Sequence, residues 1–225
     1  MRLLIHVEGQ TEESFVNEIL REPLVNAGYE SVSARMVGNA RLRRRRCGIR
    51  PWPSVKQDIV EHLKQDGGCI TTTMVDFYAL PQTGDGAWPG RAHAGGLPVA
   101  RKAPTVEKGM YDDVAKEIDP HRFVPFVIMH EFEGLLFSDC AAFSRGIARP
   151  ELEQAFQQIR DDFDTPEDIN DSPVTAPSKR IERLVNGYEK PLLGTLAILE
   201  IGLEGIRREC AHFNKWMQRL ESMNR

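Results

Sequence analysis

The stretch Leu3-Leu4-Ile5-His6-Val7-Glu8-Gly9-Gln10-Thr11-Glu12-Glu13-Ser14-Phe15-Val16 decides how the whole chain is read. Leu3, Leu4, Ile5 and Val7 form an almost continuous apolar run, the pattern of a parallel strand covered on both faces. Gly9 permits a sharp turn without a Cβ penalty. Thr11 is placed to cap the next helix, and Glu12 and Glu13 suit its positive amino-terminal end. Phe15, Val16, Ile19, Leu20 and Leu24 then recur at helical spacing, with Pro23 expected to bend or end that helix. Glu8 therefore stands at the carboxyl end of a strand, where open α/β sheets place their chemistry. A carboxylate there is costly unless water, a cation or a polar network satisfies it. The plainer alternative is a strand-end glutamate bonded to the following turn.

Outward from that unit, Val32 to Val37 reads as a second strand and Cys69 to Val75 as a third that ends at Asp76. A fourth, Phe123 to Met129, runs into His130-Glu131-Phe132-Glu133-Gly134. Between them, Ser54 opens a helix carrying Val55, Ile59, Val60 and Leu63, and a second helix lies near Val106 to Ile118. This alternation predicts an α/β fold with a parallel sheet of about four strands flanked by helices. Beyond residue 140 the pattern is helical only. Leu152, Phe156 and Ile159 share one face, and Ile206, Cys210, Phe213, Met217 and Leu220 mark a final amphipathic helix. We expect an α/β domain over 1–140 and a helical C-terminal region over 141–225 packed on it. The stretch from Leu80 to Pro104, with five glycines and four prolines, has no periodicity and is expected to be a functional or disordered loop.

A hydrophobic content of 41% suffices for a full core. The net charge of −4 conceals a segregation: residues 31–57 hold seven arginines and Lys56 with no acid, whereas residues 151–171 hold eight acids and only Arg160. The basic block, centred on Arg41, Arg43, Arg44, Arg45 and Arg46, suits phosphate contacts, with a solvated loop or an acidic partner as alternatives. Arg91, Arg101 and Lys102 add cations in the glycine-rich stretch. Four scattered cysteines without a CxxC pair argue against a zinc site or a disulfide framework. No run approaches the ~20 apolar residues of a membrane span, so a soluble cytoplasmic protein is expected.

Two strands end in acids, Glu8 and Asp76, and another runs into Glu131 and Glu133. In a parallel sheet such ends share one rim, where clustered carboxylates need protons or a cation. Mg²⁺ suits such a site because it accepts a few carboxylates and keeps waters for phosphate substrates. Taken singly, each acid also fits a turn or a helix start. Several motifs fail. His130-Glu131-Phe132-Glu133-Gly134 lacks the second histidine of a zinc protease helix, and Gly9-Gln10-Thr11 is too short for a phosphate loop. His6, inside a strand, reads as a packed core residue.

Val7 to Phe15 resembles the opening motif of Toprim domains, found in topoisomerases, primases and overcoming-lysogenisation-defect nucleases. A wider set resembles the domain of unknown function 4276. It comprises Val7 to Phe15, Met74-Val75-Asp76-Phe77-Tyr78-Ala79-Leu80-Pro81, His130 to Asp139, Ala176-Pro177-Ser178-Lys179-Arg180, and Cys210-Ala211-His212-Phe213-Asn214-Lys215-Trp216.

The resemblance implies a Toprim-like, Rossmann-like core in which Glu8 matches the Toprim glutamate and Asp76 the first acid of its Asp-x-Asp motif. Glu131-Phe132-Glu133 resembles the later acidic element of RloB-type defence proteins. It also implies an ABC-type ATPase partner and a place in phage defence. Tyr78 stands where Asp-x-Asp has its second aspartate, with Asp85, Glu131, Glu133 or Asp139 as substitutes. The function so implied is Mg²⁺- or Mn²⁺-dependent phosphodiester hydrolysis of DNA or RNA. Glu8 would act as general base or orient the metal-bound water, Glu8, Asp76 and Glu133 would hold the metal, and Glu131 would be a further acid. A non-catalytic subunit binding nucleic acid or an ATPase is the alternative, and a small-phosphate hydrolase a third.

Overall fold

The computed structural model describes residues 1–37, 49–170 and 174–223. Strand β1 (Arg2–Val7) leads through Gly9 into α1 (Gln10–Phe15), which continues through a π-turn (Val16–Leu20) into α2 (Arg21–Asn26). Pro23 does not end the helix: α2 continues past it to Asn26. The π-turn comes just before it, and the wider spiral absorbs a ring that would otherwise collide with the carbonyl one turn back. Thr11 is not the cap either: it is buried inside α1. Glu12 folds back to accept the Gly9 N–H at 2.9 Å.

Next come β2 (Ser31–Met36), α3 (Trp52–Gln65) and β3 (Cys69–Asp76). Helix α3 starts two residues before Ser54, because Pro53 fits the first turn, where no N–H is needed. The stretch expected to be an aperiodic loop is built. It carries α4 (Arg91–Ala94), and α5 (Val99–Val114) begins inside it with Pro104 in its interior. Tertiary packing overrides local propensity here. Gly90 holds φ 76°, and a Cβ on it would lie 2.6 Å from the Thr105 carbonyl oxygen. A Cβ on Gly109 would lie 2.8 Å from the Pro89 carbonyl carbon. Gly90→Ala is expected to cost about 2 kcal/mol, from backbone strain and collision together. Its urea midpoint should fall with an unchanged m-value; an unchanged midpoint would refute this tight α4–α5 fit.

The fourth strand is split into β4 (Phe123–Val124) and β5 (Val127–Ile128). Pro125 interrupts it, since it has no N–H for a ladder. The Thr73 hydroxyl bridges the gap, accepting from Phe126 N at 2.9 Å and donating to Phe126 O at 2.8 Å. All pairings are parallel, in the order β2-β1-β3-β4 with β5 on β3.

A 3₁₀ helix (Phe132–Ser138) leads to α6 (Cys140–Gly146), α7 (Glu153–Asp161), α8 (Pro177–Leu184), α9 (Lys190–Glu209) and α10 (Ala211–Ser222). The final amphipathic stripe is thus shared by two helices, broken at Cys210, whose backbone is extended. One apolar layer joins Leu3, Ile5, Val7, Ile70 and Met74 to Phe15, Leu24, Phe143, Ile201 and Phe213. The other joins Val75 and Val127 to residues of α3 and α5. Strands β1 and β3 are therefore covered on both faces, with Thr71, Thr72 and Thr73 of β3 buried as fully as their apolar neighbours, whereas β2 is largely exposed. His6 is fully buried between its neighbours, its ring 5.6 Å from that of His62. Burial drives its pKa down to about 3, which keeps it neutral as a core residue. Among the described residues Cys69, Cys140 and Cys210 are free thiols, and no helix is long and apolar enough to cross a membrane.

Candidate metal centre

Register brings the acids together. Val7 lies opposite Met74, so Glu8, one residue past β1, reaches the last residues of β3. Its Oε2 accepts the Asp76 N–H at 3.4 Å. Asp76 lies opposite Ile128 on the other side, and its Oδ1 accepts the Phe132 N–H at 2.9 Å. That bond pins the segment after β5 against the sheet rim and sets Glu133, which is 2% exposed, beneath it. Glu133 Oε2 accepts from Lys190 Nζ at 3.1 Å, from the first residue of α9.

The four carboxylates behave as one electrostatic unit. Burial raises Glu8 to a pKa of about 7, and the charge of Glu12 adds to the rise. Burial also lifts Asp76 well above the ordinary carboxylate range, followed by repulsion from Glu8, Glu12 and Glu133. Glu12 and Glu133 are raised by burial too. Burial opposes the charge on Lys190, yet Glu133, Glu131 and Asp76 hold its pKa above the usual lysine value. One ammonium faces four carboxylates. A hard divalent cation is the species that oxygen donors with such excess charge suit. The donor chemistry fits Mg²⁺ or Mn²⁺. In the present side-chain positions, no three or more His, Cys, Asp or Glu residues among those described stand in a group that could hold an ion.

The other expected residues fall as follows. Glu131 Oε2 accepts the Ser178 N–H at 3.0 Å, which ties it to the first turn of α8. Asp139 caps α6 through the Ala142 N–H at 2.9 Å, and Asp85 is exposed. Neither makes a contact to the acid rim. Tyr78, in place of the second aspartate, donates its N–H to His130 O at 3.2 Å, and the two rings lie 5.2 Å apart. His130 has a left-handed backbone (φ 64°), an uncommon conformation for a residue with a Cβ. Burial, then Lys102 and Arg91, push its pKa down to about 4.

Arg91 is set inside the fold. It is 4% exposed, its Nε donates to Phe77 O at 3.0 Å, and its guanidinium lies 3.8 Å over the Phe77 ring. The expected phosphate contact would need it at the surface, whereas here it ties the chain after β3 to α4. Arg101 is exposed and Lys102 half-buried, both on α5. Arg41, Arg43, Arg44, Arg45 and Arg46 lie outside the described residues. Two members of this charged cluster are not evident from sequence. Sequence alone places Glu12 as a helix-start acid, although its four-residue spacing from Glu8 across Gly9 is a usable signal. Lys190 carries none: its role depends on where α9 begins in space.

No curated protein matches the chain. Three solved structures are similar, all of the C-terminal region of the Xanthomonas campestris pv. campestris OLD protein. The form phased with platinum is 18% identical with a TM-score of 0.39, over 100% of this chain and 97% of that one. For the mercury form the values are 19%, 0.39, 96% and 97%, and for the iodine form 20%, 0.37, 96% and 96%. At such scores the likeness carries neither fold nor activity across. The family model described as Domain of unknown function (DUF4276) matches residues 7–221, and the chain belongs to that family.

Proposed function

We propose that the chain is a metal-dependent phosphodiester hydrolase acting on DNA or RNA. One observation carries the reading: Glu8, Glu12, Asp76 and Glu133, from three distant segments, share one electrostatic environment around Lys190. A structural rim would be cheaper with fewer buried acids, since each raises the cost of charging the others. Glu8, Asp76 and Glu133 would hold Mg²⁺ or Mn²⁺, with Glu12 completing the oxygen set and Glu131 a further acid at its edge. When bound, the cation supplies polarisation of a phosphoryl oxygen and a more acidic bound water.

A bound cation would ionise Glu8, whose carboxylate, one residue past β1 and bonded to the Asp76 N–H, would then orient the attacking water or take its proton. The Phe132 N–H holds Asp76 in place. Lys190 is 43% exposed at its side chain, so ammonium donors not used by Glu133 can reach a phosphate oxygen. The arginine run, Arg101 and Lys102 would contact the nucleic-acid backbone. The Toprim resemblance supports the assignment and suggests the ABC-type ATPase partner. Cleavage of DNA and RNA substrates, with Mg²⁺, Mn²⁺ or EDTA and with or without that ATPase, tests it. We expect divalent-dependent cleavage that EDTA stops. Intact substrates under every condition would overturn the reading.

A second reading has its own observation. Glu133 already has a cationic partner in Lys190, and the acids are not gathered for ligation. A non-catalytic subunit that binds nucleic acid or an ATPase would show this. It requires unchanged nucleic-acid affinity in EDTA together with no cleavage.

A further inference from the structure

A cavity of about 470 Å³ opens between α5, the β4–β5 segment and α10. None of Glu8, Glu12, Asp76, Glu133 or Lys190 lines it. Its volume is within the range of small-molecule sites. One wall is apolar, formed by Val99, Ala100, Pro104, Val124, Pro125 and Met129. Its aromatic side is rigid. Phe126 stacks on Trp216 at 4.4 Å and on His212 at 5.2 Å, and Trp216 Nε1 donates to the Thr72 hydroxyl at 2.9 Å.

The acids that line the cavity are internally engaged. Glu107 Oε1 accepts from Val127 N at 2.9 Å and pairs with His212 Nε2 at 2.8 Å. Glu167 accepts the His212 and Phe213 N–H groups, each at 2.9 Å, and Asp168 accepts the Thr165 hydroxyl at 2.7 Å. Lys215 and Arg219 differ: both are exposed, and neither side chain makes an ion pair or hydrogen bond with another described residue. With His212 they follow the spacing i, i+3, i+7, so the three lie along one face of α10 over about 10 Å. Phe126 and Trp216 are themselves buried, so the ring the cavity can use is that of His212, 20% exposed at its side chain and held in place by Phe126 and Glu107. An apolar wall, that fixed ring and two exposed cations match a ligand with a flat ring at one end and an anion at the other.

We infer that this cavity is a second ligand site, separate from the acid rim, that takes a nucleoside monophosphate. The base lies against the apolar wall and the His212 ring, and the phosphate meets Lys215 and Arg219. Charge-assisted contacts of Lys and Arg to phosphate give the affinity, while the enclosed wall selects for a ring.

Isothermal titration of the full chain in EDTA tests this, with adenosine, guanosine, cytidine and uridine monophosphates as probes. Inorganic phosphate and a 5′-phosphorylated single strand serve as comparators. At least one monophosphate is expected to bind, with inorganic phosphate at least about tenfold weaker. Lys215→Ala with Arg219→Ala should weaken binding about tenfold or more, since both residues are exposed and the fold should tolerate the change. Ala100→Trp, which fills the mouth, should abolish it, whereas Glu8→Gln should leave it unchanged. Equal binding of inorganic phosphate, binding of the 5′-phosphorylated strand alone, or nucleotide binding unaltered in all the α10 and Ala100 variants would each overturn the assignment. The readout requires no cleavage, so it stands or falls independently of the hydrolase reading.

Discussion

Glu8→Gln and Asp76→Asn are each expected to lower divalent-dependent cleavage by about 10²–10⁴-fold while the protein remains folded. Both replacements keep an oxygen where the structure uses one. The Gln amide oxygen can still accept the Asp76 N–H, and the Asn amide oxygen the Phe132 N–H. Each removes a charge that burial and the neighbouring acids make costly. Stability should therefore hold or rise as activity falls, the usual sign of an arrangement kept for function at the expense of stability. Rates and urea midpoints measured on the same preparations decide the matter. Cleavage at the wild-type rate by either variant would remove that residue from the chemistry. A sharp loss of stability in both would mean that these acids serve the fold alone.

The second large effect is on the pH dependence of stability without divalent ions. Glu8 is raised from an ordinary 4.5 to about 7 in the folded protein. Between those values the folded state keeps a proton that the unfolded chain has lost. Stability therefore falls as pH rises through this window, opposite to the behaviour of a salt-bridged carboxylate. The loss is about 3 kcal/mol at most for Glu8, with Asp76, Glu12 and Glu133 raised in the same sense. Thermal unfolding in EDTA should show a lower Tm at about pH 8 than at about pH 5. Millimolar Mg²⁺ or Mn²⁺ should restore much of the difference at the higher pH, because an ion that binds only the folded state stabilises it. Glu8→Gln should flatten the profile. A Tm that rises with pH in EDTA, or that no divalent ion alters, would contradict the electrostatic account of the rim.

Much of the candidate site's placement at the sheet rim was legible because its signals are local. A strand that ends in an acid and a glycine, as at Val7-Glu8-Gly9, or in an aspartate, as at Val75-Asp76, declares its rim residue within a few positions. Local signals failed where packing outweighed them. The glycine-rich 80–104 stretch reads as a loop, but Gly90 and Gly109 are required for α4 and α5 to approach so closely. Arg91 reads as a surface cation, and only the placement of Phe77 shows that its charge rests on a ring. Helix α9 was hidden by Pro191 and by its glycines, including Gly202 with φ 72° inside it.

By itself, the sequence determined a parallel α/β sheet, the strand ends at Glu8 and Asp76, and a helical pattern, without strands, among the described residues after 140. Apolar period and turn chemistry are properties of neighbouring residues, so one chain suffices to read them. Only the tertiary structure decided that Glu12 joins the rim and that Lys190 faces Glu133. It also set the cavity between α5 and α10. Those relations depend on where separate elements dock, and burial and charge act through space, whatever the distance along the chain.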